Sequence, residues 1–209
     1  MSTPERVLVL GVGNLLWADE GFGVRCVEHF ARRWTAPFNV ELMDGGTQGL
    51  YLVQYIADAD RVLVFDAVDF GAPAGSLVMV RDEDVPSFIA RGKMSLHQAG
   101  VADVLACAEL LGRKPVALTV VGAQPLDLED YGGSLTPPLR ALVPEAVERA
   151  AAELRAWGVD LAPRAEGHPG LMVPALAIDA YERGRPPADA ACRHGDERVL
   201  AAARSASGS

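Results

Sequence analysis

Three carboxylates and one imidazole stand in short polar stretches of this chain. Glu20 lies within GVGNLLWADEGFG (11–23), Asp44 opens DGGT (44–47), Asp66 opens DAVD (66–69) and His97 lies within SLHQAG (95–100). Glu20, Asp66 and His97 together offer two oxygen donors and one nitrogen donor. Such a hard-to-borderline set suits Ni²⁺, Zn²⁺ or Fe²⁺ and leaves coordination positions open. Each residue alone has an ordinary structural explanation: a first-turn helix acid favoured by the dipole for Glu20, a cap at a strand end for Asp44 and Asp66, a satisfied surface imidazole for His97. It is the combination that points to chemistry.

Other motifs narrow the field. There is no HExxH, no CxxC pair and no GxSxG, so a helix-borne zinc protease site, a structural zinc site and a serine nucleophile elbow are unsupported. Gly11 and Gly13 form a GxG turn, but a dinucleotide fingerprint wants glycine where Leu16 stands and an acid about 20 residues on. Asp44 follows Gly11 by 33 residues, which argues against a nucleotide. His168, Cys192 and His194 are irregularly spaced in a Pro- and Ala-rich region and are not expected to form a second metal cluster. The acidic stretch Asp127, Glu129, Asp130 with Tyr131, Gly132 and Gly133 is expected to be a solvated turn.

These residues need elements to hold them. Residues 6–10 (RVLVL) and 61–65 (RVLVF) are short aliphatic runs of the kind buried on both faces of a parallel sheet. Residues 38–43 and 117–121 are two further strands, and 76–81, introduced by Pro73 and Gly75, is an edge or antiparallel one. A helix starting near Glu20, with Asp19 as its N-cap, puts Val24, Val27, Ala31 and Trp34 on one face and leaves Arg25, Glu28, Arg32 and Arg33 elsewhere. Helices are expected over 48–57 and 98–111, and from Thr136–Pro137 to Gly158, the last kinked or divided by Pro144. Alternating strands and helices predict an α/β three-layer sandwich: a twisted, mostly parallel sheet of about five strands with helices on both faces. In such sheets ligands gather at the carboxyl ends of the strands, where Glu20, Asp44 and Asp66 fall.

Residues 1–161 form one domain in this scheme, and 162–209 a partly disordered C-terminal extension in which 171–181 is apolar enough to dock and the last two dozen residues are mobile. The 28 acidic residues against 19 basic ones give a formal charge of −9, which opposes binding to nucleic acid or anionic lipid. Cys26, Cys107 and Cys192 are expected to be reduced thiols of a cytoplasmic protein. The first six residues carry no apolar signal core, and no run approaches the roughly 20 apolar residues of a membrane helix. With no obvious pairing helix, a monomer is expected.

Taken in order, GVGNLLWADEGFGVR (11–25), DGGTQGLYL (44–52), FDAVD (65–69), SLHQAG (95–100) and LEDYGGSL (128–135) resemble the hydrogenase maturation proteases. The likeness spans about residues 6–158, and the wording LWADEGFG, GTQGLYL and EDYGGSL is most similar to the branch that serves membrane-bound uptake hydrogenases. It implies an endopeptidase that removes the C-terminal extension of the large-subunit precursor of a nickel-iron hydrogenase after nickel insertion. It also implies that Glu20, Asp66 and His97 bind nickel, a metal the substrate supplies. The aspartate of DGGT, Asp44, is implied to lie close to the site; water could be activated by the ion or by Asp44 as general base, a metal-assisted or an aspartic-type mechanism. Ligation needs a neutral His97, so activity should fall as the pH drops through the histidine's titration. Two other classes remain: a chaperone that senses nickel without cutting, and a Rossmann-like nucleotide enzyme.

Overall fold

The structure, a computed structural model, describes residues 4–91, 93–94, 101–165 and 167–185. In chain order the elements are β1 (Val7–Val12), α1 (Phe22–Arg33), β2 (Trp34–Thr35), β3 (Val40–Gly46), α2 (Val53–Asp58), β4 (Arg61–Asp69), β5 (Leu77–Arg81), α3 (Asp84–Arg91), β6 (Lys93–Met94), α4 (Val101–Leu110), β7 (Ala117–Ala123), α5 (Pro137–Ala156), β8 (Ala162–Pro163) and α6 (Ile178–Gly184). The main sheet runs β3-β1-β4-β7-β5. Its first four strands are parallel and β5 pairs antiparallel with β7 at the edge, as the punctuation around Pro73 and Gly75 predicts. The short β6 adds to the far end of β4, where Met94 pairs with Val68.

Side-chain alternation divides the core into two layers. Val7 and Val9 of β1 and Leu63 and Phe65 of β4 meet α1 and α5 through Phe22, Val27, Phe30, Leu139, Ala146 and Leu154. Leu8, Leu10, Val62 and Val64 point the other way, onto Ile56 of α2, Val85 and Ile89 of α3 and Val104 and Ala108 of α4. All six residues of β1 are buried, which accounts for its uninterrupted aliphatic sequence. The result is the predicted three-layer α/β sandwich. No helix among the described residues is long and apolar enough to cross a membrane.

Four local expectations are corrected. Helix α1 begins at Phe22, after a 3₁₀ turn over Ala18–Gly21 that carries Glu20, and Asp19 makes no capping bond to either. Helix α5 continues through Pro144 as one element. Its buried face, with Leu139 and Val143 before the proline and Ala146, Val147 and Ala150 after it, packs on both sides of the missing hydrogen bond. Helix α3 is an element that the sequence reading does not include; its Pro86 lies in the first turn, where an N–H has no intrahelical partner to lose. Arg25 and Glu28, placed outside the apolar face of α1, are 5% and 4% exposed, because residues 167–185 lie over them.

One charged cluster braces β5 and β7 to α5. Arg81 donates from Nε and Nη2 to the two oxygens of Glu153, both at 2.8 Å, and Thr119 Oγ1 adds a third bond at 3.0 Å. The Arg81 bonds hold the Glu153 carboxyl below its ordinary pKa, with help from Thr119, against the opposing effect of burial. A depressed folded-state pKa stabilises the fold above the unfolded-state value and loses that contribution as pH falls through the folded one. Glu153→Gln is therefore expected to cost about 2 kcal/mol near neutral pH, and urea unfolding of the two proteins should converge as the pH is lowered below the ordinary glutamate range.

Candidate functional site

In the order β3-β1-β4-β7 the chain leaves β1 first for β3 on one side and then for β4 on the other. The crevice beyond the carboxyl ends of β1 and β4 is thus the topological switch point, the usual ligand position in an open α/β sheet. Glu20 enters it from the turn after β1, and Asp66 from the far half of β4.

Two glycines let this junction close. Adding a Cβ at Gly23 would bring it 2.1 Å from the Phe65 carbonyl oxygen and 2.3 Å from that of Val12, so only glycine lets the start of α1 settle against β1 and β4 together. Gly13 has φ +130°, and a Cβ there would lie 1.8 Å from the Glu20 carbonyl oxygen. The GxG space is therefore taken up by the protein's own backbone, and the glycines serve close packing rather than a phosphate.

Asp66 is fully buried and Glu20 is 2% exposed. Among the described residues neither carboxylate oxygen of Asp66 has a hydrogen-bond partner. Burial pushes the Asp66 carboxyl well above the usual range and the charge of Glu20 adds to the shift; the Ala67 N–H opposes it without reaching hydrogen-bond geometry. A carboxylate held dry beside a second one is a poor ion-pair arrangement but a good half of a coordination sphere, because a divalent cation would satisfy both.

Asp44 takes a different side. It pairs in register with Gly11, next to Leu42, whose layer is that of α1 and α5. Asp66 alternates with Phe65 and belongs to the other layer. The electrostatic neighbours of Asp44 are accordingly Glu28 and Arg25. Its carboxyl accepts the Gly46 N–H at 2.9 Å. Local burial raises its pKa and the Gly46 bond opposes this, although the residue as a whole is exposed and water screens its charge. The structure brings Glu20 and Asp66 together and sets Asp44 on the opposite face of the sheet. His97 lies outside the described residues. The elements flanking it are β6, which ends beside Val68, and α4, which packs in the layer that Asp66 faces.

Two further residues shape the rim. Asp19, fully buried, accepts the Leu126 and Asp127 amides on Oδ2 at 2.9 and 3.0 Å, the Thr136 amide on Oδ1 at 2.7 Å and the Thr136 hydroxyl on Oδ2 at 2.9 Å. It thereby fastens the segment after β7 and the start of α5 to the turn that carries Glu20. Gln124 accepts the Phe70 and Ala72 amides at 2.9 and 3.1 Å and donates to Asp69 at 3.0 Å, ordering the loop beyond Asp66. Sequence reasoning missed Gln124, which had no signal beyond lying at the end of a strand. The acidic stretch at 127–133, expected to be a solvated turn, is also anchored: Asp127 caps the Glu129 and Asp130 amides, Gly132 N–H donates to the Leu16 carbonyl at 2.7 Å, and the Tyr131 ring meets Trp17 edge-on at 5.3 Å. Asp19 and Trp17 provide partners that no local pattern announces.

Fold and site together define an open α/β sandwich with a dry, oxygen-rich pair of carboxylates at its switch point. A family model described as "Hydrogenase maturation protease" matches residues 24–153. The chain is 56% identical over 200 residues to a hydrogenase expression/formation protein, HupD, of Rhodobacter capsulatus, spanning 96% of this chain and 95% of that one. It is 43% identical over 165 residues to the hydrogenase 2 maturation protease of Escherichia coli, spanning 78% of this chain and 99% of that protein. The solved structure of the hydrogenase maturating endopeptidase HybD of Escherichia coli superposes with a TM-score of 0.71 at 42% identity, over 76% of this chain and 98% of its own. The chain belongs to the hydrogenase maturation proteases.

The two buried aspartates should respond oppositely to loss of charge. Asp19 is surrounded by donors, so Asp19→Asn is expected to destabilise by about 2–3 kcal/mol. Asp66 is hydrogen-bonded by none among the described residues, so Asp66→Asn is expected to stabilise by about 1–2 kcal/mol, a rise in Tm of roughly 2–6 °C at neutral pH. Thermal unfolding of the metal-free variants checks both; equal signs would contradict the electrostatics described here.

Proposed function

We infer that this protease removes the C-terminal extension of the precursor of a nickel-iron hydrogenase large subunit, and that it reads nickel already bound to that precursor through Glu20, Asp66 and His97. The observation that carries the inference is Asp66: a fully buried carboxylate with no hydrogen-bond partner among the described residues, beside Glu20, in the crevice where this fold binds ligands. Relatives named for hydrogenase expression or formation and for hydrogenase maturation support the substrate. The ion belongs to the substrate, so the protease offers an incomplete ligand set that the precursor's metal completes. Binding energy from that contact draws in only loaded precursor and orients its scissile region.

Asp44 is proposed as the general base. It stands outside the ligand set, on the strand beside β1, and burial moves its pKa toward the range useful for accepting a proton. Water would be activated at the rim, across the strand ends from Asp66, and the proton taken by Asp44 would pass to the departing amine.

Purified precursor, with and without nickel, tests the function by mass spectrometry. Wild-type protein is expected to shorten only the loaded form, and Glu20→Gln, Asp66→Asn and His97→Ala to lower the rate on the order of a hundredfold or more. Equal cleavage of both precursors would remove the metal-reading role; a stable complex with uncut loaded precursor would make this a chaperone. Asp44→Asn is expected to lose about 10²–10⁴-fold in kcat while still binding loaded precursor, and an unchanged kcat would pass the base role to another group.

A further inference from the structure

Residues 167–185 do more than cover α1. Glu28 on α1 accepts the Leu171 and Met172 amides at 2.7 and 3.0 Å, and Arg25 donates to the Leu176 carbonyl and lies 5.6 Å from the centre of the Tyr181 ring. These contacts seat the segment. Its far end, α6, then reaches the stretch that borders the site. Glu182 accepts Ser134 Oγ at 2.8 Å and Arg140 Nη1 at 2.6 Å, Tyr181 Oη lies 3.4 Å from the Gly133 carbonyl, and Arg185 pairs with Asp130 at 3.7 Å. The same stretch holds Leu16 and Trp17 through Gly132 and Tyr131, four and three residues before Glu20. Thus residues 130–134 are gripped from inside by the Glu20 turn and from outside by α6.

Residues 167–185 lie beyond the matched family region. The family match ends at residue 153. The E. coli protease is spanned almost whole by about three quarters of this chain, whereas the R. capsulatus relative aligns over 96% of it. At the joint that α6 supports, Leu16 and Tyr131 are 43% and 47% exposed, apolar side chains next to the crevice.

The geometry points to α6 as a brace that pre-orders the 130–134 stretch as a contact surface for the large-subunit precursor, with Glu182 the positioning residue. This rests on the function proposed above. Ordering a loop before association removes that cost from binding, so the brace lowers KM for the precursor and leaves the chemical step alone. Glu182 touches neither the crevice nor the carboxylates.

The test uses full-length protein with Glu182→Ala and the conservative Glu182→Gln, nickel-loaded precursor, and hydrogen exchange at the amides of Tyr131 and Gly132. Glu182→Ala is expected to raise KM about threefold to tenfold with kcat unchanged and to speed exchange at both amides by a similar factor. Glu182→Gln, which can still accept from Ser134 and Arg140, should recover most of both effects. Unchanged exchange would overturn the brace, and faster exchange with unchanged KM would overturn its part in holding the precursor. A fall in kcat at constant KM would do the same. Absence of cleavage by the wild-type protein would instead remove the proposed function, and the grip with it.

Discussion

A carboxylate at position 66 is buried in the far half of β4 with no hydrogen bond among the described residues, and the surrounding structure must hold it there against its own preference for water. An isolated buried charge favours any rearrangement that rehydrates it, so it persists only where neighbours over-determine the backbone. Strand β4 supplies that constraint, being buried from Val62 to Val68 and paired on both sides by parallel strands. The turn bearing Glu20 is pressed onto β1 and β4 by backbone contacts that only glycines at 13 and 23 allow. Stability invested in the sheet is what keeps two acids together in a dry crevice.

Asp19 and Asp66 are the same residue type at the same full burial, yet their surroundings make them electrostatic opposites. Four donors converge on Asp19, so its charge organises structure; the start of α5 and the segment after β7 both depend on it. Among the described residues Asp66 has no such donors, so its charge is available to something else. The contrast separates a structural acid from a candidate site acid on hydrogen bonding alone, without appeal to position in a motif. Outward from Asp19 the contacts run through Thr136 and the 127–134 stretch to α6, which links the crevice to a C-terminal segment distant in sequence.

Much of this was legible before any coordinates. Aliphatic runs at 6–10 and 61–65 became β1 and β4, and the edge strand, the two-sided core and the long helix after Thr136 followed from period and punctuation. Glu20 and Asp66 could be nominated because they follow aliphatic runs, and strand ends in parallel sheets face ligands. Asp44 satisfied the same rule but sits on the other face, since period-2 alternation assigns it to the side of Leu42 and Gly11. That difference turns on register with the neighbouring strand, which no local pattern encodes.

The residues of this chain dictate where strands and helices form and which acids stand at their ends, because those depend on side-chain period, backbone freedom and turn chemistry within a few positions. Which polar groups are buried, and by what, was settled by contacts between segments far apart. Arg25 and Glu28 have the sequence of a solvated helix face and are covered by residues more than a hundred positions later; Asp19 has the sequence of a helix cap and instead gathers donors from beyond β7. Hydrogen bonds to buried charges are satisfied by whichever backbone arrives, and only the assembled fold brings it there.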